Sequence, residues 1–231
     1  MKTSVAIHQP NFLPWLGFFH KIQVADRFIF LDDVQFSKQS WTSRVKLLIS
    51  GNEKWITAPV IRKKGEFQNI MDVELMTDNW RQKLEKTIVQ NYGKTSYFGD
   101  LYETLGPLIL SQENNLASYN INLIKGILSI MNFDSTKIYR SSELQHHGVS
   151  NELLISLVKE VGGDTYIAGG GASGYQEDGL FKRHGVELVY QNFQHPRYDQ
   201  SSTDEFVPGL SILDVLFKVG PKKTASFICK V

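Results

Sequence analysis

The side chains best suited to chemistry in this chain belong to polar residues that directly follow short apolar segments. His8, Gln9 and Asn11 directly follow an apolar segment that ends at Ile7, and two prolines stiffen the chain around them. An imidazole titrates near neutral pH and can take a proton, and a stiff loop loses little entropy when it holds a ligand. Residues 8–17 are therefore predicted to form part of a ligand site. The alternative is a rigid structural loop with a buried histidine.

Two adjacent carboxylates end the next apolar segment. Asp32 and Asp33 follow residues 27–31, and Gln35 lies just beyond them. Adjacent carboxylates rarely point the same way, so these residues are predicted to contact a ligand hydroxyl or a protonated amine rather than to share a metal. A solvated strand end or a helix cap is the alternative.

A cluster of cations around an aromatic residue comes next. Lys38 and Arg44 flank Trp41, and this mixture suits a phosphate together with the face of a base or sugar. These three residues are therefore candidates for binding the diphosphate end of a nucleotide. A solvated basic helix face fits the same spacing.

The glycine segment near residue 170 is a candidate substrate loop. Gly169, Gly170 and Gly171 allow backbone amides to approach an anion closely, and Tyr175 follows as a hydrogen-bonding or stacking group. The spacing matches neither a phosphate-binding loop nor a dinucleotide fingerprint. A plain turn is the alternative.

The last polar segment supplies a second candidate base. His195 is predicted to act as a general base, with Asp214 orienting it if the fold brings the two together. Tyr198 and Gln200 are candidate substrate contacts in the same segment. Ser211 is more consistent with a helix N-cap than with a catalytic role.

Strands alternate with helices at both ends of the chain, which predicts an α/β fold with a mostly parallel sheet flanked by helices. The middle of the chain, residues 78–131, is predicted to be a helical insertion or lid within a single domain spanning residues 1–231. Apolar runs predict strands at 5–7, 27–31, 55–60, 137–140, 164–168 and 186–190. Helical spacing or end signals predict helices at 15–24, 79–90, 97–112, 116–131, 151–161 and 176–184. Because ligands bind beyond the carboxyl ends of parallel strands, the loops after the first two strands, the glycine loop and the His195 segment are expected at one edge of the sheet.

Composition and charge argue against several classes of function. The 231 residues include 25 basic and 24 acidic side chains, so the net charge of +1 argues against non-specific nucleic-acid binding, although a charged tRNA donor is not excluded. One cysteine, no signal-peptide pattern and no long apolar run lead us to expect a cytoplasmic protein without a membrane segment. No spacing of histidine, cysteine and carboxylate matches a standard zinc site, so no metal is expected and the cofactor is unknown.

Several long motifs, in order, resemble the WbqC-like family of bacterial proteins over nearly the full chain. They are Ile7–Phe19, Phe30–Phe36, Trp55–Val60, Tyr166–Tyr175, His195–Gln200 and Phe206–Phe217. Members of that family look like products of surface-polysaccharide (O-antigen) gene clusters, some of them beside enzymes that make and acylate amino-dideoxy sugars. The resemblance implies a role in decorating such a sugar and supplies no catalytic residues.

Three functional hypotheses follow. The first is a transferase that moves an acyl or aminoacyl group, such as glycyl, onto the amine of a nucleotide-linked amino-dideoxy sugar. In it, His8 or His195 is the base, and backbone amides at 169–171 hold the oxyanion. The second is a nucleotidyl-transferase-like enzyme that activates a carboxylate with ATP and Mg²⁺, based on an imperfect histidine signature at Gly17 and His20. The third is a non-catalytic protein that binds a sugar nucleotide.

Overall fold

A computed structural model describes residues 2–61, 67–170, 178–200, 203 and 205–229. The strands are β1 (Ser4–His8), β2 (Arg27–Phe30), β3 (Arg44–Ile49), β4 (Asn52–Thr57), β5 (Val60–Ile61), β6 (Glu74–Leu75), β7 (Ile138–Arg140), β8 (Thr165–Ala168) and β9 (Glu187–Tyr190). The α-helices are α1 (Leu16–Val24), α2 (Trp80–Tyr92), α3 (Phe98–Ile109), α4 (Leu116–Ile130), α5 (Asn151–Glu160), α6 (Asp178–Arg183) and α7 (Ile212–Ile228).

The central sheet has five strands in the order β7-β2-β1-β8-β9. Every neighbouring pair in it is parallel, with Ala6 of β1 opposite Phe28 of β2 and Ile167 of β8. The predicted α/β class is confirmed. From β1, the chain first adds β2 and β7 on one side. It then crosses to the other side of β1 and adds β8 and β9. The carboxyl ends of β1 and β8 are therefore the point at which open α/β sheets leave a crevice for ligands.

Alternating residues of the central strands bury two separate apolar layers, because successive strand side chains point to opposite faces. Ala6, Phe28 and Ile167 belong to one core cluster, which also contains the buried faces of α1, α4 and α7. Val5 and Tyr166 belong to the other, with the apolar side chains of α5 and Phe181 of α6. The sheet is thus covered on both faces, which explains why its strands are almost continuously apolar.

The predicted elements of the sheet are confirmed to within one or two residues, but the segment around residue 55 differs. The predicted strand 55–60 is two strands, and β4 pairs antiparallel with β3 outside the central sheet. Pro59 separates β4 from β5, since proline has no amide hydrogen to donate to a ladder. The predicted helix 176–184 begins at Asp178 among the described residues, and residues 176–177 lie outside them.

The middle of the chain contains helices α2, α3 and α4, as the prediction for residues 78–131 requires. These helices pack on the N-terminal loop: the ring of Phe12 lies 6.4 Å from Trp80 and 6.4 Å from Tyr119. A role as a lid stays a prediction.

Within the described part of the chain, no helix has the length and apolar character needed to cross a bilayer.

Candidate functional site

A cleft of about 570 Å³ opens at the carboxyl ends of β1 and β8. One wall comes from the N-terminal motif and α1, and the other from β8, β9 and the loops that follow them. The lining residues are Ile7, His8, Gln9, Trp15, Gly17, Phe18 and Lys21 on the first side and Tyr166, Gly169, Gly170, Gln191 and Phe193 on the second. The cleft therefore lies where strand topology predicts a ligand site.

The N-terminal motif divides into two parts. Its ends, His8, Gln9 and Trp15, line the cleft, whereas residues 10–14 are buried away from solvent. The side-chain amide of Asn120 on α4 donates to the Pro10 carbonyl oxygen at 2.9 Å and to that of Thr42 at 2.8 Å. This buried anchor fixes the loop that presents the cleft residues. Asn11, a predicted ligand contact, lies in the buried part.

His8 is held as a neutral imidazole. Its Nδ1 lies 3.0 Å from the Gln9 carbonyl oxygen, which can only accept, so Nδ1 carries the proton and Nε2 is an acceptor. Burial, together with the nearby charge of Lys21, lowers the pKa of His8 to about 4. At neutral pH His8 is therefore suited to accept a hydrogen bond and poorly suited to take a proton from an ammonium group.

Lys21 is the most unusual group in the cleft. It lies in a mostly apolar stretch of α1, and only 3% of its surface is exposed. Its Nζ donates to the Ile7 carbonyl oxygen at 2.9 Å. Burial lowers the pKa of Lys21 to about 8. A lysine in this range can both accept and return a proton near neutral pH.

Gln191 joins the two walls of the cleft. Its side-chain amide lies 2.8 Å from the Gly17 carbonyl oxygen and 2.7 Å from His20 Nδ1, donating to both. His20 is thereby held with its proton on Nε2, and burial lowers its pKa. The ring of Phe193 lies 5.0 Å from that of His20.

Gly17 is required by the position of Trp15. A Cβ built on Gly17 would lie 2.2 Å from the indole of Trp15, far inside van der Waals contact. Gly17→Ala is therefore expected to push the indole, which forms one cleft wall, out of place. We expect little loss of stability, because a side chain can move more easily than backbone, together with a shift in tryptophan fluorescence. Gly169→Ala is the matched control, since a Cβ there meets no atom within 4 Å. An unchanged emission spectrum in Gly17→Ala would contradict the expectation.

His195 lies in an aromatic cluster beside the cleft. Its ring is 6.3 Å from Trp15, 6.0 Å from Phe193, 6.4 Å from Tyr198 and 5.5 Å from Phe206. Its Nδ1 donates to the Pro196 carbonyl oxygen at 3.1 Å, and burial lowers its pKa. His195 is thus neutral near pH 7. Its ring lies beside Trp15 and Phe193, which line the cleft.

Asp214 is paired with residues other than His195. It accepts from the Tyr198 hydroxyl at 2.7 Å and forms an ion pair with Lys218 at 3.2 Å. Gln200 is also buried, and its side chain bridges to the backbone of Val207 in both directions. These contacts hold the loop that precedes α7 against that helix through Asp214, Tyr198 and Gln200. The structure does not place Asp214 and His195 in the predicted hydrogen bond.

Asp32 and Asp33 lie at the expected edge of the sheet but face β7 instead of the cleft. Asp32 is fully buried and accepts from Arg140 at 2.6 and 2.7 Å, as well as from Ser141 and Ser142. Asp33 lies 2.5 Å from His146 Nε2, and that histidine lines a second cleft of about 630 Å³ beside α5. The two carboxylates therefore join β2 to the end of β7.

The remaining predicted contacts lie outside the cleft lining. Gln35 is exposed and forms an isolated bridge with Asn69, and Lys38 is exposed in the following loop. Trp41 and Arg44 lie at the start of the β3–β4 hairpin. The structure thus separates these four residues from His8 and groups the last two with the hairpin.

The glycine segment is described in part. Gly169 and Gly170 line the cleft at the end of β8, in agreement with their predicted placement. Gly171 and Tyr175 lie outside the described residues.

Sequence reasoning did not identify Lys21, Gln191 or Phe193. One feature of the sequence could have identified Lys21. It is the single lysine in Leu16-Gly17-Phe18-Phe19-His20-Lys21-Ile22, a segment that offers almost no polar helix face. Gln191 and Phe193 carry none, since their role depends on β9 lying beside β8.

In the part of the chain that the structure describes, no cluster of three or more histidine, cysteine or carboxylate side chains is arranged to hold a metal ion.

Comparison with known proteins agrees with the resemblance of the motifs. Residues 9–226 match the model of the WbqC-like protein family. The chain is 30% identical over 219 residues to the uncharacterized protein Rv1507c of Mycobacterium tuberculosis (strain ATCC 25618 / H37Rv), a match that covers 94% of each protein. No solved structure matches the chain. The chain belongs to the WbqC-like protein family.

Proposed function

We propose that this protein is an enzyme of surface-polysaccharide synthesis that transfers an acyl or aminoacyl group, such as glycyl, to the amine of a nucleotide-linked amino-dideoxy sugar. The observation that carries the proposal is Lys21, a buried amine with a pKa of about 8 in the cleft at the crossover of the sheet. The substrate class comes from the resemblance to proteins of O-antigen gene clusters.

Acyl transfer to an amine needs a base of the kind that Lys21 provides. A sugar amine is protonated at neutral pH, and only its neutral form attacks a carbonyl. The neutral Lys21 amine first takes the extra proton of the sugar ammonium and releases it to solvent. The sugar nitrogen then forms a bond to the acyl carbon and loses its second proton to Lys21, while the bond to the leaving group breaks with its electron pair. Lys21 returns that proton to the leaving group. Because the two amines have similar proton affinities, the transfer costs little free energy.

Two further groups in the cleft support this step. The free Nε2 lone pair of the neutral His8 can accept a hydrogen bond from the sugar amine or a neighbouring hydroxyl. The open space at Gly169 lets an acyl carbonyl approach the end of β8, where backbone amides can stabilise the developing oxyanion.

The position of the cleft supports a nucleotide as part of the substrate. Helix α1 begins at the carboxyl end of β1, and Gly17 in its first turn lines the cleft. A helix N-terminus at this position favours phosphate, because its unpaired amides and dipole attract negative charge.

The test is a direct assay for the amide product. Purified protein would be incubated with a panel of nucleotide-linked 4-amino sugars and with acyl-coenzyme A, aminoacyl-tRNA and acyl-adenylate donors, and the products analysed by mass spectrometry. An amide formed with one pair is the expected result. No amide across the panel, together with intact sugar-nucleotide binding, would favour a non-catalytic binding protein.

His8→Ala is expected to leave the fold intact and to lower kcat/KM at least about tenfold, because one hydrogen bond to the reacting amine is lost. Circular dichroism and the amide assay measure the two quantities. His184→Ala is the control, since His184 is exposed on another surface. An unfolded His8→Ala protein would indicate that His8 is a structural anchor.

A second candidate is a nucleotidyl-transferase-like enzyme, and the strand order supports it. Counted along the sheet, the strands run third, second, first, fourth, fifth, which is the classic order of a doubly wound nucleotide-binding sheet without its sixth strand. His20, which Gln191 holds beside the cleft, would then contact the nucleotide phosphates. Release of pyrophosphate from ATP and Mg²⁺ in the presence of a carboxylic acid would support this candidate over the first.

A further inference from the structure

The β3–β4 hairpin carries two tryptophans that leave much of their surface in solvent. Trp41 and Trp55 are each 40% exposed, and their ring centroids lie 4.9 Å apart at 60°. The Trp55 ring is not needed to fill the core, because the residues of β4 are exposed along almost the whole strand. A pair of large apolar rings kept at the surface is typical of a binding site.

A cation without a carboxylate partner accompanies the two rings. The Arg44 guanidinium lies 4.1 Å above the centre of the Trp55 ring, and its Nε is buried without a hydrogen-bond partner. None of the ion pairs among the described residues involves Arg44, whereas the neighbouring Lys46 is neutralised by Glu53 at 2.7 Å. Arg44 thus keeps its positive charge beside the exposed rings, without a carboxylate partner among the described residues.

The hairpin is connected to the cleft by consecutive backbone contacts. Trp15, on the cleft wall, forms a bridge with Ser211, and the Ser211 amide donates to the Lys46 carbonyl oxygen at 2.9 Å. Lys46 is paired with Trp55 across the hairpin. Adjacent strands lie about 4.8 Å apart, so three such steps keep the backbone of Trp55 within about 14 Å of that of Trp15.

We propose that Trp41, Trp55 and Arg44 bind the base and a phosphate of the sugar nucleotide whose sugar end occupies the cleft, an inference that rests on the proposed function. The base stacks on the exposed tryptophan surface, and the guanidinium donates to a phosphate oxygen. A nucleoside diphosphate with an attached sugar is long enough to reach from the hairpin to the cleft.

The chemistry of the hairpin favours a nucleotide over a plain carbohydrate. Sugars stack on tryptophan through their C–H faces and need no cation beside the ring. A guanidinium that stacks on an indole and has no carboxylate partner among the described residues instead fits an anionic group attached to a planar one.

The test measures binding by calorimetry and needs no turnover. The probes are thymidine diphosphate, uridine diphosphate, thymidine, inorganic pyrophosphate and maltoheptaose. We expect the wild-type protein to bind a nucleoside diphosphate more tightly than either thymidine or pyrophosphate. Trp55→Leu and Trp41→Leu should each weaken this binding about tenfold or more, in line with one lost stacking contact, and Arg44→Gln should do the same.

Two controls separate binding from folding. Trp55→Phe keeps an aromatic face and should restore most of the affinity, and Phe67→Leu removes an aromatic side chain that is 67% exposed outside the hairpin. Melting temperatures identify any variant that has lost its fold.

The inference is overturned if the wild-type protein binds maltoheptaose but no nucleoside diphosphate. It is also overturned if folded Trp55→Leu and Arg44→Gln proteins bind nucleoside diphosphates as tightly as the wild type does. If nucleotides bind at the hairpin but no amide forms in any assay, the proposed reaction fails while the binding site stands.

Discussion

The Lys21→Met variant is expected to lose nearly all turnover while becoming more stable than the original protein. Methionine has nearly the length of lysine and no charge, so it can occupy the same buried space in α1. In the proposed transfer, the sugar amine stays protonated when the cleft contains no base, and kcat should fall about 100-fold or more.

The gain in stability follows from the lowered pKa of Lys21. The folded protein holds this proton less tightly than the unfolded chain does, because burial lowers the pKa from the 10.5 of an ordinary lysine to about 8. The penalty of burying the charge is fully present below about pH 8 and disappears as the pH rises toward 10.5. Each pKa unit corresponds to about 1.4 kcal/mol, so the penalty is about 3 kcal/mol below pH 8.

Part of that gain is offset by the hydrogen bond that Lys21 donates to the Ile7 carbonyl oxygen, worth about 1 kcal/mol. We therefore expect Lys21→Met to unfold with a free energy about 2 kcal/mol higher at pH 7. The difference should shrink as the pH rises and change sign near pH 10, because above that pH only the lost hydrogen bond of about 1 kcal/mol separates the two proteins. Urea denaturation at pH 7, 9 and 10.5 measures this difference.

The pH dependence of turnover gives a second readout. In the wild-type protein, kcat should rise with pH through about 8 as Lys21 becomes neutral, because the deprotonated amine is the active form. Lys86→Met is the control, since Lys86 is an exposed residue on α2. A Lys21→Met protein that keeps more than a tenth of its activity would exclude Lys21 as the base.

Asp32→Ala is expected to have the largest effect on stability. Its carboxylate is fully buried and accepts from Arg140, Ser141 and Ser142. Its removal leaves a partly buried guanidinium and the Ser142 hydroxyl without this acceptor, whereas the Ser141 hydroxyl still has Asp33 at 2.5 Å. Removing one partner of a buried ion pair costs about 3–5 kcal/mol. The structure therefore predicts a much lower melting temperature.

The same variant also tests whether Asp32 contacts substrate. Because Asp32 does not line the cleft, the folded fraction of Asp32→Ala should keep the wild-type KM when assayed well below its melting temperature. Asp72→Ala is the control, because Asp72 is exposed. A stable Asp32→Ala protein with a strongly raised KM would support the ligand contact predicted from the sequence.

The fold was predictable from sequence where one physical signal dominates. The continuously apolar segments around Ile7, Ile29 and Ile167 identify strands buried on both faces, and such strands form a parallel sheet covered by helices. The β3–β4 hairpin was not predictable in the same way. In β3, Arg44 and Lys46 alternate with buried residues, and this pattern was equally consistent with a basic helix face.

The candidate site was predictable only in part. The loop after β1 could be placed at the cleft because a strand end and its loop are adjacent in sequence. The partners of Asp32 could not be found, since Arg140 is more than a hundred residues away and reaches Asp32 only because β7 pairs with β2. The importance of Lys21 depends on how far it is buried, which requires knowing which surfaces surround α1.

The backbone contacts of Ser211 have a consequence for how the protein is made. The Ser211 and Ile212 amides donate to the carbonyl oxygens of Lys46 and Pro14, and the Ser211 hydroxyl donates to that of Leu13 at 2.9 Å. The cleft wall that contains Trp15 is therefore completed by residues about 200 positions away in the sequence. Contacts this distant in sequence form late, because the loop between them must close first. During synthesis the cleft would remain unfinished until α7 had emerged from the ribosome. A nascent chain should therefore be unable to carry out the proposed reaction until α7 is made. A chain truncated before residue 211 should not carry it out at all.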